Sequence, residues 1–107
     1  GKMHRDFSYI EDIVNGIRAS IENNYLCEIF NLGNNRCESL MDLVSYIEKA
    51  LDKNAEIDFM DIQPGDVAKT YADIDHAKDK LNYEPKISIR KGVPKFIEWY
   101  KSYYEII

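Results

Sequence analysis

Arg5 stands just ahead of a predicted helix N-terminus, where its side chain could do ligand chemistry. A guanidinium is planar, permanently charged and able to grip two phosphate oxygens at once. Just beyond it, Ser8 and Glu11 have the spacing of a capping box and predict a helix starting near Tyr9. The free amides and positive dipole end of such a helix would help to hold the same anion. A plain surface ion pair of Arg5 with Asp6, Glu11 or Asp12 is the alternative. The second feature is Gln63-Pro64-Gly65-Asp66, a polar turn after a predicted strand, where α/β proteins often meet their ligands. Asp66 there either accepts hydrogen bonds from paired hydroxyls, such as those of a ribose, or serves only its own turn. Asn31 and Asn35 read as turn formers. Trp99-Tyr100 and Tyr103-Tyr104 read as a packing face, since no basic residues interleave them as single-strand binding requires.

Other chemistries lack their residues. The five glycines are scattered, and none forms the run that cradles a pyrophosphate. No tyrosine precedes a lysine by four positions, and no serine, histidine and acid stand together as a nucleophilic triad. Cys27 and Cys37 have no histidine nearby, and His4 and His76 are isolated, so neither a zinc cluster nor a disulfide framework is expected. Reduced thiols point to the cytoplasm. No catalytic, cofactor-binding or metal-binding residue is assigned.

The elements that must position Arg5 and Asp66 follow from periodicity. Ile10, Ile13, Val14, Ile17 and Ile21 form one apolar stripe at helical spacing, ended by Asn23-Asn24. Residues 27–32 read as a short buried strand stopped by Gly33-Asn34-Asn35. Ser39 and Asp42 predict a second helix carrying Leu40, Leu43, Val44, Ile47 and Leu51, ending near Asp52. Residues 56–60 alternate as a half-buried strand does. A short helix over 73–81 would turn Ile74, Ala77 and Leu81 inward. The last helix would bury Ile89, Val93, Phe96, Ile97, Tyr100 and Tyr104, with Pro94 forcing a late start or a kink.

The whole is one α/β domain over 1–107, small and helix-rich with two or more short strands. Its 45% hydrophobic and 31% charged residues are a globular balance. The net charge of −5 disfavours nucleic acid and anionic membrane as partners, and no apolar run is long enough to span a bilayer. Gly1 and Lys2 precede Met3, so the chain reads either as a piece of a longer frame, with or without an added residue, or as a module starting at Met3.

Four segments, in order, resemble one family. Arg5-Asp6-Phe7-Ser8-Tyr9-Ile10-Glu11-Asp12-Ile13 is similar to the Arg-Asp-aromatic stretch of extended short-chain dehydrogenase/reductases acting on nucleotide sugars. Ile29-Phe30-Asn31-Leu32-Gly33 resembles their Asn-Leu-Gly strand end. Gln63-Pro64-Gly65-Asp66-Val67 with Thr70-Tyr71-Ala72-Asp73 resembles the UDP-glucuronate 4-epimerase version, and Tyr83-x-Pro85, Gly92, Phe96 and Trp99-Tyr100 fit the tail. The resemblance implies the C-terminal, UDP-sugar-binding portion of an NAD-dependent epimerase. The family's N-terminal Rossmann domain, with its NAD-binding glycines and catalytic Tyr-x-x-x-Lys, would be the missing partner. In such enzymes sugar C4 gives a hydride to the nicotinamide, and the 4-keto sugar turns over and is reduced on its other face. The chain would then bind no NAD and be inactive alone.

By the same resemblance Arg5 contacts the diphosphate and Asp66 the ribose. Gln63 takes the place of a second phosphate-binding arginine found in galactose epimerases, and Arg36, in the loop after the Asn-Leu-Gly end, is a candidate to compensate. A 4,6-dehydratase or decarboxylase of the same frame, or a stand-alone nucleotide-sugar- or protein-binding remnant, are the alternatives. Precursor supply for surface polysaccharide is the pathway class implied. A face severed from the Rossmann domain would expose apolar side chains and favour self-association.

Overall fold

The computed structural model describes residues 2–106, which form four helices and one antiparallel pair of two-residue strands. Strand β1 (His4–Arg5) pairs with β2 (Glu38–Ser39), placing His4 opposite Ser39 and Arg5 opposite Glu38. On its other side His4 bridges Lys69: its N–H donates to the Ala68 carbonyl at 2.8 Å, and its own carbonyl accepts from Thr70 N at 3.2 Å. Two segments distant in sequence therefore flank His4 and Arg5, one on each side. The expected class holds, but the strands lie elsewhere than expected. Residues 27–32 and 56–60 are irregular, because neither has a ladder partner among the described residues, and Ile29, Phe59 and Met60 stay exposed.

Helix α1 (Ile10–Glu22) starts where expected but not by the expected cap. Tyr9 is the N-cap, no side chain caps it, and its carbonyl accepts from Asp12 N and Ile13 N. Asn23 closes the helix, its Nδ2 donating to the Ala19 carbonyl at 2.7 Å. Helix α2 (Leu40–Leu51) is capped as read: Ser39 Oγ accepts from Met41 N, and Asp52 ends it in the left-handed region. Helix α3 (Asp75–Leu81) begins two residues later than predicted. Helix α4 (Ile89–Tyr103) runs through Pro94 instead of waiting for it, forgoing one backbone donor.

The core is Ile74, Ala77, Leu81 and Tyr83, with Ala19, Phe30, Leu32 and Ala72 against it. The inward positions read for α3 are all there. Helix α1 turns most of its apolar stripe outward: Asp12 and Gly16 are its buried residues, while Ile10, Val14, Ile17 and Ile21 are exposed. The reason is close approach. A Cβ on Gly16 would stand 2.7 Å from Leu32 Cδ1, so the small-residue face is the one able to dock. Helix α4 buries Ile89, Gly92 and Ile97, whereas Phe96, Tyr100 and Tyr104, expected inside, are exposed. They join Trp99 and Tyr103 in an aromatic row with Trp99–Tyr103 centroids 5.2 Å apart and Tyr100–Tyr104 centroids 4.8 Å apart.

Candidate functional site

Strand β1 delivers Arg5 and the turn at 63–66 delivers Asp66. Arg5 Nη2 donates to Asp66 Oδ1 at 2.9 Å across 61 positions of sequence, so neither Asp6, Glu11 nor Asp12 is its partner. Arg5 Nη1 donates to the His4 carbonyl at 2.8 Å, which fixes the guanidinium plane. The turn is built as its residues dictate: Asp66 N donates to the Gln63 carbonyl, and Gly65 has φ +85°, the sign a type II turn requires there. Asp66 Oδ1 also accepts from Val67 N at 2.8 Å. Its side chain is 42% exposed, so the ion pair is worth no more than about 1 kcal/mol and opens readily. A diphosphate could take the guanidinium while the freed carboxylate accepts from vicinal hydroxyls.

Arg36 and Gln63 are both exposed. Arg36 lies two residues before β2, whose Glu38 is the register partner of Arg5; its guanidinium enters no ion pair among the described residues. Gln63 contributes its backbone carbonyl to the turn. Asn35 is a turn former, at φ 52°. At the start of α1, Ser8, Tyr9 and Ile10 line an apolar groove of about 740 Å³ whose other walls include Leu43, Val93 and Phe96.

Two aspartates weighed in the sequence only as surface partners of Arg5 instead accept hydrogen bonds from backbone amides of distant segments. Asp6 Oδ2 accepts from Asn35 N at 3.0 Å and Ala72 N at 2.9 Å, and Oδ1 accepts from Asn34 N at 3.0 Å. Asp12, 5% exposed, accepts from Lys86 N and Ile87 N, both at 3.0 Å. Tyr83 donates its hydroxyl to the Gly33 carbonyl at 2.6 Å. Burial, then the nearby charges of Asp12 and Asp6, push the Tyr83 phenol up to about 12. Gly33 admits this knot because a Cβ there would lie 2.6 Å from Ala72 Cβ and 2.9 Å from Asp6 Oδ2. Buried Asn34 donates to the Ile87 carbonyl, and its Oδ1 has no partner among the described residues. The only local signal for these roles was the Arg-Asp neighbour pair and the second aspartate six residues on.

Among the described residues no cluster of side chains suits a metal ion, and no helix is long and apolar enough to cross a membrane. Both cysteines are free thiols.

The sequence matches the family model described as GDP-mannose 4,6 dehydratase over residues 1–96. The chain belongs to that family. It is 44% identical over 100 residues to an uncharacterised protein of Methanocaldococcus jannaschii, the match covering 94% of this chain and 31% of that protein. To UDP-glucuronate 4-epimerase of Thermodesulfobacterium geofontis it is 38% identical over 109 residues, 100% of this chain and 33% of the other. UDP-glucuronic acid 4-epimerase from Bacillus cereus, solved in complex with UDP-glucuronic acid and NAD, superposes with a TM-score of 0.86 at 33% identity, covering 97% of this chain and 34% of that one. The chain thus spans about a third of the length of these relatives. They place it among the extended short-chain dehydrogenase/reductases, the NAD-dependent nucleotide-sugar epimerases and dehydratases.

The described residues do not fit the pyrophosphate of that dinucleotide. Gly16 and Gly92 lie inside helices against Leu32 and Tyr9, Gly33 is closed by Ala72 and Asp6, and Gly65 belongs to the Asp66 turn. None is left open at a helix start, where a phosphate would approach the backbone.

Proposed function

We propose that residues 1–107 are the C-terminal, nucleotide-sugar-binding domain of an NAD-dependent UDP-sugar epimerase that acts on UDP-glucuronate through a 4-keto intermediate. Arg5 holds the diphosphate and Asp66 accepts from the ribose hydroxyls, with Arg36 adding a second cation where Gln63 supplies none. NAD and the catalytic groups come from the remainder of the full-length protein, and this chain alone turns nothing over. The full-length enzyme would work in the cytoplasm, supplying sugar precursors for polysaccharide. The observation that carries this reading is the Arg5–Asp66 pair: residues 61 apart, one suited to phosphate and one to vicinal hydroxyls, meet at 2.9 Å. The relatives named as UDP-glucuronate epimerases support the choice of sugar.

The test is to add UDP to the isotope-labelled chain and follow its backbone amides by NMR. Shifts confined to residues 4–6, 35–38 and 63–70 are expected. Shifts confined instead to the apolar groove beside α4, or none at all, would refute the reading. In the full-length protein, product analysis separates the reactions: epimerisation conserves the sugar carboxylate, whereas decarboxylation releases it as carbon dioxide.

A further inference from the structure

Asp6 stands beside Arg5 in sequence, yet it neither pairs with that arginine nor points a free oxygen at the site. Its carboxylate is consumed by backbone. One oxygen takes Asn35 N and Ala72 N, and the other takes Asn34 N. These three amides belong to the two segments that bring in the rest of the site. Asn35 immediately precedes Arg36, and Ala72 follows the turn of Gln63 and Asp66 by six residues. The carboxylate therefore ties the strand that carries Arg5 to both the other segments at one point. Gly33 brings that point within reach, and Tyr83 holds Gly33 from behind.

Resting on the nucleotide-sugar reading above, we propose that Asp6 is a positioning residue for the diphosphate grip: it sets Arg5, Arg36 and Asp66 at their mutual spacing without touching the ligand. Two effects of removing its charge oppose each other, which makes the sign of the outcome informative. Loss of a negative charge near an anion site by itself strengthens anion binding. Loss of the clasp lets the two loops drift from Arg5 and weakens it. An amide nitrogen at Asp6→Asn would face a backbone N–H, so that variant keeps part of the clasp, and Asp6→Ala keeps none.

The experiment compares UDP with uridine on the whole chain, for wild type, Asp6→Asn, Arg5→Ala and the double variant. Uridine lacks the phosphates, so the ratio of the two affinities reads the grip alone. A loss of fold or of general stability lowers both affinities together and leaves the ratio unchanged. The expected result is a ratio of UDP to uridine affinity at least tenfold lower in Asp6→Asn; the Asp66–ribose contact that the clasp also sets is common to both ligands and cancels in the ratio. In the Arg5→Ala background the same substitution should add little, as it acts through Arg5. Tighter UDP binding by Asp6→Asn, equal losses for UDP and uridine, or full additivity with Arg5→Ala would overturn the proposal. If wild type fails to bind UDP, the functional reading itself falls. The clasp is then judged separately from amide hydrogen exchange: slow exchange at Asn35 and Ala72, lost in Asp6→Asn, is its signature.

Discussion

Replacing Tyr83 by Phe should cost stability at neutral pH and cease to cost it in strong alkali. The ring is 4% exposed, and its hydroxyl donates to the Gly33 carbonyl at 2.6 Å. Removing that donor leaves a buried carbonyl unpaired, a loss of about 1–3 kcal/mol. In a domain of this size each kcal/mol lowers the melting temperature by about 4–8 °C. The phenol itself is pushed from 10.0 to about 12 by burial, with Asp12 and Asp6 adding to it. An acid with a raised folded pKa stabilises the fold fully below its unfolded pKa, and that contribution drains away as pH rises toward the folded one. The unfolded chain ionises from pH 10 upward, so wild type loses up to about 1.4 kcal/mol per pH unit between pH 10 and 12 on this account. Tyr83→Phe has no such proton to lose. Parallel urea melts from pH 7 to 11.5 should therefore show the gap between the two proteins closing above pH 10. The comparison cancels the other seven tyrosines, which are common to both chains. A gap that stays constant or widens with pH would show that the buried phenol is not the group described.

Gly33→Ala should destabilise the fold by an amount comparable to Tyr83→Phe, about 1–3 kcal/mol, and lower the melting temperature accordingly, because its Cβ would meet Ala72 Cβ at 2.6 Å and the Asp6 carboxylate at 2.9 Å. An unchanged melt would mean that the clasp is looser than drawn. The outward stripe of Ile10, Val14, Ile17 and Ile21 should make the isolated chain self-associate with rising concentration. Sedimentation should see this reversed by Ile17→Asp, and a wild-type monomer at every concentration would contradict it.

How much of this was legible in the sequence depends on how local each determinant is. Ser39 capped α2 as read, and Asp52 and Asn23 ended their helices where expected, since caps act within three or four residues. The Gln63–Asp66 turn was readable for the same reason, from Pro64 and Gly65. Ser8 failed as a cap although its spacing was right, because Tyr9 took the N-cap position. The α1 stripe was visible, but its direction was not. That choice rests on Gly16 meeting Leu32 and Tyr83, residues 16 and 67 positions away. Residues 27–32 and 56–60 carry strand-like patterns that have no pairing edge within the described residues, so pattern alone placed strands where no ladder forms. The pair Arg5–Asp66 and the Asp6 clasp are contacts across 61 and 66 positions, invisible to any periodicity. Each candidate residue could be named from its chemistry, but only the fold brings Arg5 to Asp66, and it leaves Arg36 and Gln63 exposed.

Calorimetric titration of the chain with UDP, beside the Arg5→Ala variant, tests the central claim most directly. Charge-assisted hydrogen bonds from a guanidinium to phosphate contribute about 1.5–3 kcal/mol, so Arg5→Ala should weaken UDP binding by roughly 10–150-fold. Its melting temperature should stay within a few degrees of wild type, because the Arg5–Asp66 pair is half-exposed and adds little to stability. Equal UDP affinity in the two proteins would contradict the assignment of Arg5 to the diphosphate and, with it, the site built around that residue.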